Sequence, residues 1–465
     1  MTIQYVGGKS FTNPVAGGSG GTLSLTDLTG GIASSPAAGD LVVAIYMTGT
    51  ETVRSITITP EYTTVLGLNR ISTRGTNFVM YRKIMGSTPD TTLTYSGTGS
   101  STDSGVILVQ VWRGVDQNYP LTPYYANNNG VNSGLADPPS FLPLTTNTVV
   151  IAGGSGSANG SAPQNPYTSS DLTNFLSSNT INATHVGQVG IGYQTWSSGV
   201  VNPAAFTGGG GTTGDAWVGL TMGVIPNGDP YPKVVTISKS SLNATTSSSV
   251  TTPSFIVDSV SNQKLLIFSS LSINETLDSA TTSTGDTVIP FTSNVSLVDS
   301  GKYNVVKGWY VNNPTPSSTY TVTVNRSGTT STRFYVNAIL LGNVANGAPK
   351  FQNAYSSTTY ANNYSTTDFT TTSNTNLVID VINVLQNTFP TATSANGTLI
   401  CNMESVVTNT AKMDIFARNI PSGSVVTQNA NYTVTANLYN VGILSFAFEP
   451  ASYPSVSTGN MFMLF

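Results

Sequence analysis

The sequence predicts an all-β protein built from two tandem jelly-roll-like antiparallel β-sandwich domains. Three observations predict it. Short runs of β-branched and aromatic residues recur between clusters of Gly, Asn, Pro and Ser, the pattern of strands and turns. Helix signals are scarce. The order of runs also repeats, with the second half following the first at an offset of 224 to 228 residues. Leu41-Val42-Val43-Ala44-Ile45 matches Leu265-Leu266-Ile267-Phe268. The turn Thr88-Pro89-Asp90 matches Thr315-Pro316-Ser317. The run 106–112, ending at Gly114, matches 334–341, ending at Gly342. Val149-Val150-Ile151 falls on Leu377-Val378-Ile379, and 217–226 on 441–450. Chance matching of apolar runs does not hold one offset across five landmarks.

In order, the first module reads as strands at 22–25, 41–47, 55–59, 63–71, 78–84, 91–96, 106–112, 148–152, 185–194 and 216–225. The second reads as 234–237, 264–273, 287–291, 304–311, 319–325, 333–341, 377–384, 398–403, 412–418 and 437–448. Most runs are near-continuously apolar rather than alternating, as in central strands covered on both faces or in strands whose outer face carries Thr. About ten strands per module with turns at short intervals argue for a two-sheet sandwich. One helix is expected. In 169–176, Ser169 or Asp171 can cap, and Leu172, Phe175 and Leu176 share a helical face. Asn227-Gly228-Asp229-Pro230-Tyr231-Pro232 is a short, stiff connector. The expected domains are 1–228, 229–450 and a tail, 451–465. That tail ends in Met461, Phe462, Met463, Leu464 and Phe465. An apolar end of this kind reads as a segment folded back on its own module, as a docking peptide for a neighbouring subunit or particle, or as a disordered end.

Composition narrows function. Only 8% of residues are charged, against about 25% in an average domain. The polar surface is therefore hydroxyls and amides. The 17 basic residues are scattered and net charge is −4, so neither nucleic acid nor an anionic membrane is an expected partner. No run approaches the ~20 apolar residues of a membrane span. Met1-Thr2-Ile3-Gln4 does not read as an export signal. An exterior-type surface made without one fits release by lysis.

Catalytic and metal chemistry is not expected. His185 is the only histidine and Cys401 the only cysteine, too few for zinc. No Gly-x-Ser-x-Gly elbow accompanies His185. Cys401 reads as a small buried hydrophobe. Acids such as Asp40, Asp90 and Asp299 sit in turns, where they bond their own backbone. Gly208-Gly209-Gly210-Gly211 lacks the Lys-Ser/Thr of a phosphate loop. No cofactor is implied.

Two aromatic, Asn-rich segments, 119–129 and 355–364, are read as loops and supply the candidate contact residues. These are Tyr124, Tyr125, Asn127 and Asn128 in the first, and Tyr360, Asn362, Asn363 and Tyr364 in the second. A Tyr face can cover a sugar ring, and Asn amides match paired hydroxyls. The same residues serve subunit interfaces or plain turn-rich loops. All three readings stay open at this point.

Tyr5-Val6-Gly7-Gly8, the stretches 23–31 and 36–43, Gly86-Ser87-Thr88-Pro89-Asp90, Val111-Trp112-Arg113-Gly114-Val115-Asp116, Trp196-Ser197-Ser198-Gly199 and Asn202-Pro203-Ala204-Ala205-Phe206 together carry a resemblance. Over roughly 3–226 the chain resembles a module of tailed-phage and prophage structural proteins. The resemblance implies a fibre, spike, decoration or tail-tip protein on a virion surface, made in the host cytoplasm, and transfers no functional residue. The expected function is non-enzymatic and structural, with attachment to the host surface. Expected partners are capsid or tail proteins, further copies of the chain (a trimer for a fibre) and a host-surface glycan. A carbohydrate-binding receptor module and a polysaccharide-degrading spike are the alternatives.

Overall fold

A computed structural model describes residues 2–451 except 14–19, 50–55, 60, 71–75, 98–104, 123–124, 133–134, 145–147, 160–164, 182–184, 197–198, 209–212, 229–231, 241–243, 300–301, 331, 358–360, 366–368, 371–375, 387–391, 395–396, 405–409, 421–426 and 429–430. At some strand ends only the backbone is described. The chain divides into two compact units, Met1–Asp229 and Pro230–Phe465. Among the described residues every ladder is antiparallel and no helix is present.

Unit 1 contains β1 (Gln4–Asn13), β2 (Gly20–Ser24), β3 (Leu41–Gly49), β4 (Ile56–Thr59), β5 (Thr63–Arg70), β6 (Thr76–Ile84), β7 (Thr92–Gly97) and β8 (Gly105–Arg113). They are followed by β9 (Ala126–Asn132), β10 (Val149–Asn159), β11 (Thr173–Ile181), β12 (His185–Thr195) and β13 (Thr213–Val224). The first eight form a large sheet, β1-β8-β3-β6-β5, and a small one, β2-β7-β4. The nested pairs β1·β8, β2·β7 and β3·β6 are those of a long hairpin rolled up on itself. β5 departs from that scheme, pairing β6 in the large sheet.

The last five strands form a third sheet, β11-β12-β10-β13-β9. The expected two-sheet sandwich is thus incomplete. The large sheet lies in the middle, which explains its apolar runs. Val42, Ala44, Ile107, Val109 and Val111 pack with Leu23, Ile58, Leu93 and Tyr95 of the small sheet. Their neighbours Val43, Ile45, Met47, Val106 and Leu108 pack with Ile151, Val189, Ile191, Leu220 and Met222 of the third. A strand buried on both faces leaves few positions for polar residues, so alternation vanishes.

The expected helix at 169–176 is a turn leading into β11. Ser169 Oγ accepts from Leu172 N at 3.3 Å, and Asp171 Oδ2 accepts from Ala204 N at 2.9 Å. Asn174 adopts a left-handed φ of 43°. Beyond it, Phe175 packs with Tyr167 and Phe206 on the sheet's outer face, and Leu176 packs into the main core. The helical face is therefore split between two sides of a strand.

Unit 2 repeats the order. Its strands are β14 (Lys233–Lys239), β15 (Ser249–Thr251), β16 (Lys264–Leu271), β17 (Leu277–Thr282), β18 (Val295–Asp299), β19 (Lys302–Asn312), β20 (Val322–Arg326) and β21 (Thr332–Gly342). Then come β22 (Phe351–Ser357), β23 (Asn376–Gln386), β24 (Thr398–Glu404), β25 (Thr410–Ile420) and β26 (Asn431–Phe448). Further short strands, such as Ile289–Pro290 and Ala361–Ser365, extend these sheets. The large sheet runs β14-β21-β16-β19, with β18 on β19. The small sheet is β15-β20-β17, and the third is β22-β26-β23-β25-β24. Each strand thus pairs as the strand thirteen places earlier does in unit 1.

The register corrects the sequence alignment by one residue. Val115 bridges Pro226, and Val344 bridges Pro450. This sets Gly114 against Asn343 rather than Gly342, and Leu41 against Lys264 rather than Leu265. Gly114 and Asn343 share a left-handed backbone, φ 77° and 58°; Gly39 and Asn262 do the same at 80° and 61°. Asn tolerates that region better than other side chains. A β-bulge at Val6 recurs at Val235.

Candidate functional site

The aromatic, Asn-rich segments fall mainly on sheet edges rather than in free loops. β9 is the edge strand of the third sheet, pairing β13 from Ala126↔Thr221 to Gly130↔Trp217. Asn127 and Asn128 are exposed on it. Asn128 Oδ1 accepts from Asn129 N at 2.9 Å, and Asn353 Oδ1 on the matching edge β22 accepts from Ala354 N at 2.8 Å. Side-chain amides that occupy main-chain donors blunt an open edge. Tyr125 is half-buried against the main core, and burial raises its hydroxyl pKa. Its ring therefore serves the interior. Asn362, Asn363 and Tyr364 lie on the strand Ala361–Ser365, whose backbone alone is described. Tyr124, Tyr360 and the tail residues Met461, Phe462, Met463, Leu464 and Phe465 lie outside the described residues. His185 begins β12, paired with Asn159 through its backbone.

Several buried or half-buried acids serve ion pairs. Arg113 grips Asp40 through Nε–Oδ1 at 2.9 Å and Nη2–Oδ2 at 2.8 Å, and Asp40 also accepts from Ala37 N. In unit 2, Arg326–Glu275, Arg418–Asp380 and Lys412–Asp414 lie at 3.0, 3.2 and 3.4 Å. Asp286 is a turn hub. Desolvation raises its pKa, but donation from Thr315, Tyr320 and Thr284 outweighs this and lowers it. Cys401 is buried, and desolvation pushes its thiol up to about 11. Among the described residues no three His, Cys, Asp or Glu side chains cluster as a metal site would need.

One open groove, of about 240 Å³, lies in unit 1 between the edge of the large sheet and the turn after β8. Its lining is Glu61, Thr63, Arg82, Lys83, Ile84, Gln117, Asn118 and Pro120. Thr63 and Arg82 are cross-strand partners on β5 and β6. Lys83 is committed elsewhere: Nζ donates to Asp90 Oδ2 at 2.8 Å and lies 5.8 Å from the centre of the Tyr62 ring. The turn is held on three sides. Asp116 Oδ1 accepts from Asn118 N and Tyr119 N. Gln117 Nε2 donates to Gly39 O and Val115 O. Ile225 N donates to Pro120 O. Glu61 stands at the entrance to β5 with a left-handed φ of 52°.

Sequence reasoning missed this groove because three separate segments build it. The local signal was Arg82-Lys83 interrupting an apolar strand. The matching end of unit 2 is built differently. Tyr310 replaces Arg82, and Lys264 Nζ donates to Asn312 Oδ1 and, at 2.6 Å, to Gly347 O. The Tyr310 ring lies 5.0 Å from that ammonium.

Comparison with family models, with curated proteins and with solved structures finds no match for this chain.

Proposed function

We propose that the chain is a non-enzymatic structural protein of the exterior of a tailed-phage particle, a fibre, spike or capsid decoration. It would present its sandwich units towards the host surface, in partnership with capsid or tail proteins and further copies of itself. The observation that carries this reading is one thirteen-strand plan built twice in a charge-poor chain. Repeated rigid modules with hydroxyl and amide surfaces suit a particle exterior, where many copies turn weak contacts into strong attachment. The buried acids named above serve ion pairs. The groove offers one carboxylate, Glu61, where glycoside hydrolysis uses two.

Labelling intact particles with an antibody against the chain tests the placement. Surface label on purified particles is expected, and chain found only in the soluble lysate would overturn the reading. Light scattering of the full chain beside one lacking Met461–Phe465 separates its forms. An oligomer that dissociates on truncation marks a fibre or spike, and a monomer in both marks a decoration. A carbohydrate-binding role is the second reading, favoured by the polar groove of unit 1.

A further inference from the structure

We propose that Lys264 and Asn312 of unit 2 join through an amide bond between Nζ and Cγ, a covalent staple across the large sheet. Placement is the first argument. The two residues are direct cross-strand partners on β16 and β19. Lys264 Nζ donates to Asn312 Oδ1, so the amine lies against the carboxamide it attacks. In unit 1 the matching pair is Leu41 and Ile84, two apolar side chains with nothing to exchange. Two reacting groups held together in the fold replace a bimolecular encounter with an intramolecular step.

Charge is the second argument. A buried ammonium without a carboxylate partner is costly. Lys264 is buried, and its described partners are the oxygens of Asn312 and Gly347 and the Tyr310 ring, none of them an anion. Desolvation lowers its pKa to about 8. Roughly a tenth of the chains therefore carry the neutral, nucleophilic amine at neutral pH. Amide formation removes the charge and leaves a neutral group in its place.

The backbone of Gly347 is the third. Gly347 N donates to Asn312 Oδ1 at 3.3 Å, and Gly347 O accepts from Lys264 Nζ at 2.6 Å. The N–H stabilises the negative charge that gathers on Oδ1 as Nζ attacks Cγ. The Nζ–Cγ bond forms, the Cγ–Nδ2 bond breaks, and Nδ2 leaves as ammonia with the proton that Nζ gives up. The reaction consumes no oxidant and no co-reactant. The hydrogen left on Nζ keeps Gly347 O as its acceptor, and Oδ1 keeps the Gly347 N–H. A bonded lysine no longer titrates, so the pH dependence of a free Lys264 belongs to the chain before the bond forms.

The test is the intact mass of the purified full chain under denaturing conditions, after storage at pH ~9 to favour the neutral amine. A mass short of the sequence by one ammonia is expected. A protease digest should contain one branched peptide joining the segments around Lys264 and Asn312. Lys264→Leu, which installs the residue of unit 1, and Asn312→Ala should each keep the full mass of their own sequence. Asn312→Ala should also melt below the stapled chain. Asn346→Ala removes the neighbouring Asn346-Gly347 pair, a step that can lose ammonia by ring closure, and should leave the result unchanged. A full sequence mass for the wild-type chain, or ammonia loss that persists in both Lys264→Leu and Asn312→Ala, would overturn the staple.

Discussion

Thr76 Oγ1 and Ser155 Oγ lie 2.9 Å apart between the large and third sheets of unit 1. At the matching positions of unit 2 stand Asn304 and Asn383. Asn383 Nδ2 donates to Asn304 Oδ1 at 2.6 Å, and Asn304 Nδ2 donates to Asn383 O at 3.1 Å. The hydroxyl pair has become an amide pair, with Tyr335 OH as an added donor to Asn383 Oδ1. The two positions differ as a pair between the units, and altering one partner alone strands a buried polar atom. Asn383→Ala should therefore cost about 3 kcal/mol in urea denaturation. The double change Asn304→Thr with Asn383→Ser should cost less than Asn383→Ala alone. Asp40 and Arg113 follow the same rule, with Gln263 and Gly342 at their places in unit 2.

Lys264 is the residue most at odds with its position. It is 1% exposed, where unit 1 carries Leu41. Its described hydrogen-bond acceptors are neutral, and desolvation lowers its pKa to about 8. An unfolded lysine titrates near ~10.4. Between those values the unfolded chain binds a proton that the folded chain does not, so stability rises with pH across that window. Lys264→Leu removes this rise. Its melting temperature relative to wild type should be highest near neutral pH and should fall towards pH ~10. A gap that stays constant with pH would refute the assignment.

At the scale of elements, the outer face of the third sheet shows how one scaffold carries two chemistries. In unit 1 that face holds Ala152, Gly190 and Gly192, covered by Leu172, Phe175, Tyr167 and Phe206. A Cβ on Gly190 would sit 2.5 Å from Phe175 Cζ. Gly190→Val should displace that ring and cost about 2 kcal/mol, read by thermal unfolding and loss of Phe175 contacts in NMR. In unit 2, cross-strand pairing puts Asp380, Asp414, Phe416 and Arg418 on the same face. The central strands differ less. β3 and β16 are buried along their described length. Ile267→Ala should cost about 3–4 kcal/mol by the cavity it leaves.

At the scale of the whole molecule, each unit has its own core clusters. Residues 1–229 and 230–465, expressed separately, should each unfold cooperatively with their own calorimetric transition. A unit that fails to fold alone would show that the two are one folding body.

Fold class was legible because strand runs and turn residues are local, and local chemistry survives translation into sequence. So did the repeat, since an offset needs no knowledge of contacts. β1, β9 and β11 were not legible. Their residues, such as Gly7-Gly8, Asn127-Asn128-Asn129 and Ser177-Ser178-Asn179, have low strand propensity. They are strands because neighbours β8, β13 and β12 offer ladders to join. The third sheet was therefore missed, and the expected contact loops proved to lie mainly on sheet edges. The groove was hidden for a related reason. Glu61, Arg82 and Asn118 are distant in sequence and meet only where β5, β6 and the turn after β8 converge. The sequence alone determined strand content, the two-fold repeat and a surface poor in charge, because those follow from composition and periodicity. Only the tertiary structure decided layer number, register and the groove, because those depend on which strands find each other.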